Sequence, residues 1–177
     1  KGTYLAPFAT IAYAISQCSA NNNNIIYVRE GYVETVIAAG GITFDVAGVT
    51  LIGLGQGANR PTLTFSTSVA ASVLVSAANV NISGLVGVSG INALTNPFSV
   101  TAAGCSLDIE WQDASTSLSA ARAVLATSVS RLQVELAYRG FRNGGQVVNA
   151  IRLVDCSHVD VLVDAFGVNS VGWVEMA

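Results

Sequence analysis

The sequence predicts an all-β chain wound as a single-stranded parallel β-helix, with one short α-helix capping its N-terminal end. Two observations carry that expectation. Cores of the form x-apolar-x-apolar recur as Val49-Thr-Leu-Ile, Val80-Asn-Ile-Ser, Cys105-Ser-Leu-Asp, Leu132-Gln-Val-Glu and Val159-Asp-Val-Leu, their starts 31, 25, 27 and 27 residues apart. A period in this range marks a solenoid, and strands with no helices between them narrow it to a β-helix. A turn residue stands directly before each core, in order Gly48, Asn79, Gly104, Arg131 and His158. Three of these five are Gly or Asn, the types that tolerate a left-handed backbone.

The elements follow in order. Phe8, Ile11, Ala12 and Ile15 fall at helical spacing behind Pro7, which suits a first helical turn, so residues 7–19 are expected to form an amphipathic helix. It closes an N-terminal segment spanning 1–24; the β-helix spans 25–177 in about five to six coils. The run Asn21 to Asn24 turns the chain into the apolar strand Ile25-Ile-Tyr-Val28. Ahead of each bend lies a second short strand, Ile42–Val46, Val73–Val75, Phe98–Val100, Val124–Leu125 and Ile151–Val154. Alternation places Val49, Val80, Cys105, Leu132 and Val159 in one interior column and Leu51, Ile82, Leu107, Val134 and Val161 in the next. Thr50, Asn81, Ser106, Gln133 and Asp160 line the outside. An open end would expose core and unpaired backbone, and the N-terminal helix is the natural cover for one end.

Composition narrows the partners. Charged residues are 11% of the 177, against about 25% in ordinary soluble domains, and the net charge is −3. With one lysine, Lys1, and seven scattered arginines, no basic run follows a phosphate backbone, so nucleic acid is not an expected partner. No apolar run approaches the roughly 20 residues of a spanning helix, so membrane insertion is not expected. No leader pattern is present and the first residue is not Met, so the chain reads as a processed or excised piece. Cys18, Cys105 and Cys156 have no metal-ligand spacing and are expected as buried free thiols.

The stretch Gly53-x-Gly55-x-x-Ala58 has the glycine spacing of a dinucleotide-binding turn, but Asn59-Arg-Pro61 breaks any following helix and the strand Thr62-Leu-Thr-Phe65 comes next. No acid lies between Asp45 and Asp108 to hold a ribose. No cofactor is expected; the glycines ease the exit into a wide loop, and Leu54 joins Val49 and Leu51 in starting the interior columns.

The capping helix Phe8-Ala-Thr-Ile-Ala-Tyr-Ala-Ile15, the strand and turn Ile26-Tyr-Val-Arg-Glu-Gly-Tyr-Val-Glu34, and the coil Val49-Thr-Leu-Ile-Gly53 resemble the opening of right-handed parallel β-helix proteins of the pectin-lyase-like type. Within that group the chain resembles especially bacteriophage tailspikes, tail fibres and related virion surface proteins. The resemblance covers about the first third of the chain, and its motifs are specific for fold rather than activity. It implies a right-handed coil. It also implies one of three roles: polysaccharide lyase, glycan-binding tailspike glycosidase, or structural and decorating virion protein, with many viral members homotrimeric.

The residues carry three candidate chemistries. Asp108 and Glu135 occupy the same outward position on neighbouring coils, about one strand spacing of 5 Å apart, with Glu110, Asp160 and Asp164 on the same wall. Carboxylates at that separation could serve a retaining glycosidase, with Asp108, Glu110 and Glu135 as catalytic candidates. They could also hold calcium, as the family's lyases do. Equally, they could form a solvated or inter-subunit face partnered by Arg131 or Arg139, since stacked like charges need a counter-charge. Trp111 and Tyr138 share an aligned position and suit a sugar face; with Asp160 and Asp164 they are glycan-binding candidates, although their parity matches the interior columns. His158 is the only histidine, so a catalytic dyad or histidine-rich metal site is hard to build, and a bend residue is the simpler reading.

Flat faces rich in Ser, Thr, Asn, Ala and Val suit burial against sister chains. The expectation is a homotrimeric virion structural protein of a bacteriophage: a spike, fibre or capsid decoration at the virion surface, or otherwise secreted. Its partners would be itself, other virion proteins and bacterial surface polysaccharide. The competing expectation is a polysaccharide lyase or glycoside hydrolase acting on that polysaccharide.

Overall fold

In the computed structural model of the chain, which describes residues 2–140, 148–167 and 172–177, all five bend residues have positive φ. The values are +75° at Gly48, +59° at Asn79, +72° at Gly104, +55° at Arg131 and +53° at His158. Asn21, at +56°, extends the column by one coil. The bends stack through their backbones: Asn21 N–H donates to Ala47 O, Gly48 N–H to Ala78 O, Asn79 N–H to Ala103 O and Gly104 N–H to Ser130 O. A repeated left-handed residue therefore turns the chain at the same place on every coil.

In chain order the elements are α1 (Ile11–Ser16), β1 (Ile25–Val28), β2 (Val33–Val36), β3 (Ile42–Phe44), β4 (Thr50–Gly53), β5 (Thr62–Phe65), β6 (Val73–Val75), β7 (Asn81–Ser89), β8 (Phe98–Val100), β9 (Ser106–Asp113), β10 (Val124–Thr127), β11 (Ser130–Arg139), β12 (Ile151–Val154), β13 (Ser157–Phe166) and β14 (Val174–Met176), with one 3-10 turn at Gly57–Asn59. All named strand pairs are parallel. One sheet runs β1-β4-β7-β9-β11-β13, with β2 and β5 alongside; the other runs β14-β12-β10-β8-β6-β3. The chain is a right-handed parallel β-helix of about five turns.

The register matches the sequence columns. Thr50 pairs with Asn81, Asn81 with Ser106, Ser106 with Gln133 and Gln133 with Asp160. Inward neighbours Val49, Leu51, Val80, Ile82, Cys105, Leu107, Leu132 and Val134 are all buried. On β13 the equivalents Val159 and Val161 are only half-buried, because no described coil covers them. Leu54 departs from its expected place: it is 42% exposed, one residue past the end of β4, where the chain leaves the column.

Two glycines explain how the first coils differ from the later ones. The long-sheet arm is split into β1 and β2, then into β4 and β5, before β7 joins both positions in one strand with an irregularity between Ser83 and Leu85. At that irregularity a Cβ on Gly53 would lie 2.4 Å from Gly84 O, and a Cβ on Gly84 would lie 2.5 Å from Gly53 O. Gly53 thus serves a close backbone crossing between coils.

The helix is shorter than 7–19. Thr10, with extended backbone, is its N-cap and accepts from Tyr13 N–H, so Pro7 stays outside in the lead-in. Glu34 of the Gly31-Tyr32-Val33-Glu34 motif completes the anchorage: its Oε2 accepts from Ile11 N–H at 3.1 Å and from the Tyr32 hydroxyl at 2.5 Å. Ile11, Ala14 and Ile15 then face the first coil and close that end of the core.

The bend column makes opposite predictions at two of its positions. A Cβ at Gly104 would sit 2.5 Å from Asn79 Oδ1 in a left-handed backbone, so Gly104→Ala should cost about 1–2 kcal/mol or more. Arg131 already carries that backbone strain in an exposed site. Arg131→Gly should therefore be neutral or stabilising by up to about 1 kcal/mol. Urea denaturation of the two variants checks both signs.

Candidate functional site

The long parallel strands β7, β9, β11 and β13 point alternate residues outward, building a wall of side-chain columns one strand spacing apart. Two such columns carry the predicted acids: Asp108, Glu135 and Leu162 in one, Glu110, Ala137 and Asp164 in the next. Asp108 and Glu135 are register partners and both are exposed. Among the described residues no arginine lies within ion-pair distance of either.

The other acids on the wall are engaged. Glu110 is bridged by Arg60 at 2.6 Å and accepts from Gln112 Nε2 at 2.5 Å. Burial by itself would raise its carboxyl, but the hydrogen bonds from Gln112 and Arg60 and the Arg60 charge outweigh it and hold the group below its ordinary range. Asp164 is held by Arg139 at 2.7 Å, and that hydrogen bond lowers its carboxyl. Asp160 is exposed beside Gln133. Of the two arginines named from sequence, Arg139 takes the partner role and Arg131 stays in the bend.

Trp111 and Tyr138 are register partners, as their alignment implies, but both are fully buried and offer no surface to a sugar. Strand parity decides this: they follow Leu107 and Ile109, Val134 and Leu136, on the inward side. Trp111 packs against Phe65 at 5.5 Å between ring centroids, and its indole fills the space a side chain at Gly87 would need. Sequence reading missed the group they surround. Asp113 is 6% exposed; its Oδ1 accepts from Trp111 Nε1 at 3.0 Å and Ala120 N–H at 3.3 Å, and its Oδ2 from the Tyr138 hydroxyl at 2.8 Å. Burial pushes this carboxyl above its ordinary value although all three hydrogen bonds pull the other way.

Three exposed tyrosines, Tyr4, Tyr13 and Tyr27, lie at the opposite end. A cavity of 900 Å³ between the N-terminal segment and β1 is lined by Tyr4, Phe8, Tyr27, Arg29 and Tyr32 among others. Tyr4 and Tyr27 are 76% and 60% exposed, and the Arg29 guanidinium sits 4.8 Å from the Tyr4 ring centre. A smaller groove of 360 Å³ runs along the bend edge between Asn21, Asn23, Thr50, Asn79 and Asn81. Its amides follow from the bend and outward columns. The signal in sequence was the recurrence of Asn at aligned positions, visible only as a turn preference. Cys18, Cys105 and Cys156 are free; Cys105 is buried as expected, whereas Cys18 and Cys156, near the two ends of the stack, are only partly buried. Among the described residues no three His, Cys, Asp or Glu side chains converge to hold a metal ion.

Asp113 makes stability depend on pH in a definite direction. Its ordinary value is 3.8 and its folded value is higher. The folded chain therefore keeps the proton where the unfolded chain has lost it, and the cost of burying the charge is absent below the unfolded value and complete above the folded one. Asp113→Asn keeps an oxygen for Trp111 and Ala120 and can donate to the Tyr138 oxygen, without the charge. Its stability relative to the parent should rise as the pH climbs above about 4 in urea titrations; a difference that stays flat would mean that the Asp113 carboxyl titrates alike in the folded and the unfolded chain.

A scan against protein-family models gives no match to this chain, and searches of the curated proteins and of the solved structures give none either.

Proposed function

We propose that the chain is the coil portion of a bacteriophage virion structural protein, a homotrimeric β-helical spike, fibre or capsid decoration that contacts host surface glycan. The observation that carries this reading is the wiring of the outer wall. Glu110 and Asp164 serve as ionised links, each tied to an arginine, and Asp113, whose carboxyl burial pushes toward its neutral form, is sealed in the core. A glycosidase needs a proton-donating carboxyl facing its substrate. The outward column of the short-strand sheet supports self-association: it runs Thr43, Leu74, Ser99 and Leu125 before it reaches Arg152 and Glu175. Two leucines and two hydroxyl side chains on a flat face fit burial against a sister chain better than permanent contact with water.

For glycan contact, exposed Tyr4 and Tyr27 beside Arg29 offer what the buried Trp111 and Tyr138 do not, an aromatic face with a polar partner. A second reading, polysaccharide hydrolase or lyase, draws on the in-register pair Asp108 and Glu135.

Three measurements separate these readings. Light scattering after size exclusion should give a trimer, and a clean monomer at about 10 µM would count heavily against assembly. Tyr27→Ala should weaken binding to the host polysaccharide at least about tenfold with the fold intact. Release of reducing ends from capsule or O-antigen polysaccharide, abolished by Glu135→Gln, would establish the enzyme instead.

A further inference from the structure

Two like-charge pairs of opposite sign stand on different walls of this rod. On the long-sheet wall, Asp108 and Glu135 are register neighbours, an arrangement that destabilises the isolated chain unless a cation approaches. At the short-strand sheet, Arg122 stands two residues before β10, and Arg152 lies outward on β12. The Arg152 charge lowers the pKa of Arg122, after the larger effect of burial. These two guanidinium groups share one carboxylate. Arg152 Nε is 3.4 Å from Glu175 Oε2 without hydrogen-bond alignment, and that oxygen already accepts from Asn149 Nδ2 at 2.5 Å. Arg122 donates from Nη1 to Asn96 at 2.8 Å, while its buried Nε has no partner among the described residues.

The pairs also agree in height. Asp108 on β9 and Arg122 before β10 belong to one coil, and Glu135 on β11 and Arg152 on β12 belong to the next. A rotation about an axis parallel to the solenoid leaves height unchanged, so only patches on the same coils can meet in a cyclic assembly. Successive coils are about 4.8 Å apart, which gives both pairs the same vertical spacing. Apolar side chains extend both patches: Leu162 continues the Asp108–Glu135 column, and Leu125 is the register partner of Arg152.

We propose that a second copy of this chain docks its Asp108–Glu135 column on the Arg122–Arg152 pair, forming a side-by-side, head-to-tail interface that closes into a ring. This rests on the self-association proposed above and names the surfaces that make it. Contact of this kind joins two different patches, so each chain offers its acids to one neighbour and its arginines to the other. Both charge pairs gain counter-ions, and interfacial complementarity fixes the vertical register of the chains.

Charge reversal with rescue tests it. The acid-side variant Asp108→Arg/Glu135→Arg and the base-side variant Arg122→Glu/Arg152→Glu should each weaken self-association at least about tenfold in sedimentation equilibrium at low salt. Mixing the two variants should restore association between unlike chains, although a three-membered ring can match only two of its three interfaces in this way. Should reversal disturb folding, the isosteric Asp108→Asn/Glu135→Gln removes the same charges with shape kept and should weaken assembly in the same direction. Assembly that persists unchanged in all three variants would overturn this interface while leaving self-association standing. A parent chain that stays monomeric at every concentration would overturn both.

Discussion

Each coil of this protein must re-enter the long sheet through one residue with a left-handed backbone, and the rest of the structure depends on where that residue sits. The bend fixes the start of the next strand, and the period of two then decides which side chains face the core. A shift of one residue would turn Leu132 and Val134 outward and bring Gln133 and Glu135 into the core. The bend is strained for Arg131 and His158, yet they adopt it as fully as Gly48 and Gly104 do. Strand pairing with the coils on both sides holds Arg131 in register, and pairing with β11 holds His158 from one side. The strain persists because the surrounding coils over-determine it.

With so little charge in the chain, polar groups act as ties between coils rather than as a diffuse solvation layer. Arg60 reaches Glu110 across 50 residues of sequence, and Arg139 reaches Asp164 across 25. Inside, Asp113 gathers donors from its own strand, from the neighbouring strand and from the loop before β10. An apolar residue there would leave the Trp111 indole N–H and the Tyr138 hydroxyl without an acceptor in an apolar stack, so a raised carboxyl is tolerated for the sake of two buried aromatic donors. The same economy holds at the N-terminal end, where one carboxylate, Glu34, fastens both α1 and Tyr32.

The fold was legible in the sequence because its two determinants, alternation and a bend residue at fixed offset, are local and repeated. The five bends, both interior columns and the outer column from Thr50 to Asp160 follow from those signals, and so does the register of Asp108 with Glu135. Trp111 and Tyr138 show the limit: their aligned position was readable and their parity pointed inward, but residue type alone suggested a sugar face. Asp113 was illegible because it also has inward parity, where a carboxylate is unexpected unless its donors are known. The helix was overextended since Pro7 and Phe8 fit a helical pattern, whereas the N-cap at Thr10 is selected by Glu34, 24 residues away. The Arg122, Arg152 and Glu175 cluster joins three coils, and no repeat-aligned signal marks it.

A parallel β-helix turns sequence position into height along a rod, and this bears on how such a chain can act. A pocket enzyme gathers its groups from elements that converge on a point; here neighbouring strands place side chains in columns, so groups meet vertically on adjacent coils or laterally across chains. Vertical meetings supply ties such as Arg139 with Asp164 and repulsions such as Asp108 beside Glu135, at spacings set by the strand ladder and not adjustable one atom at a time. Lateral meetings have more freedom, since the angle and separation of two rods are set by the side chains between them. Glu110 and Asp164 find their counter-charges on other coils of the same chain, whereas the Asp108–Glu135 column has no such tie and leaves its charge facing outward. That is why the exposed columns of this chain, more than any single cavity, carry the information about what it touches.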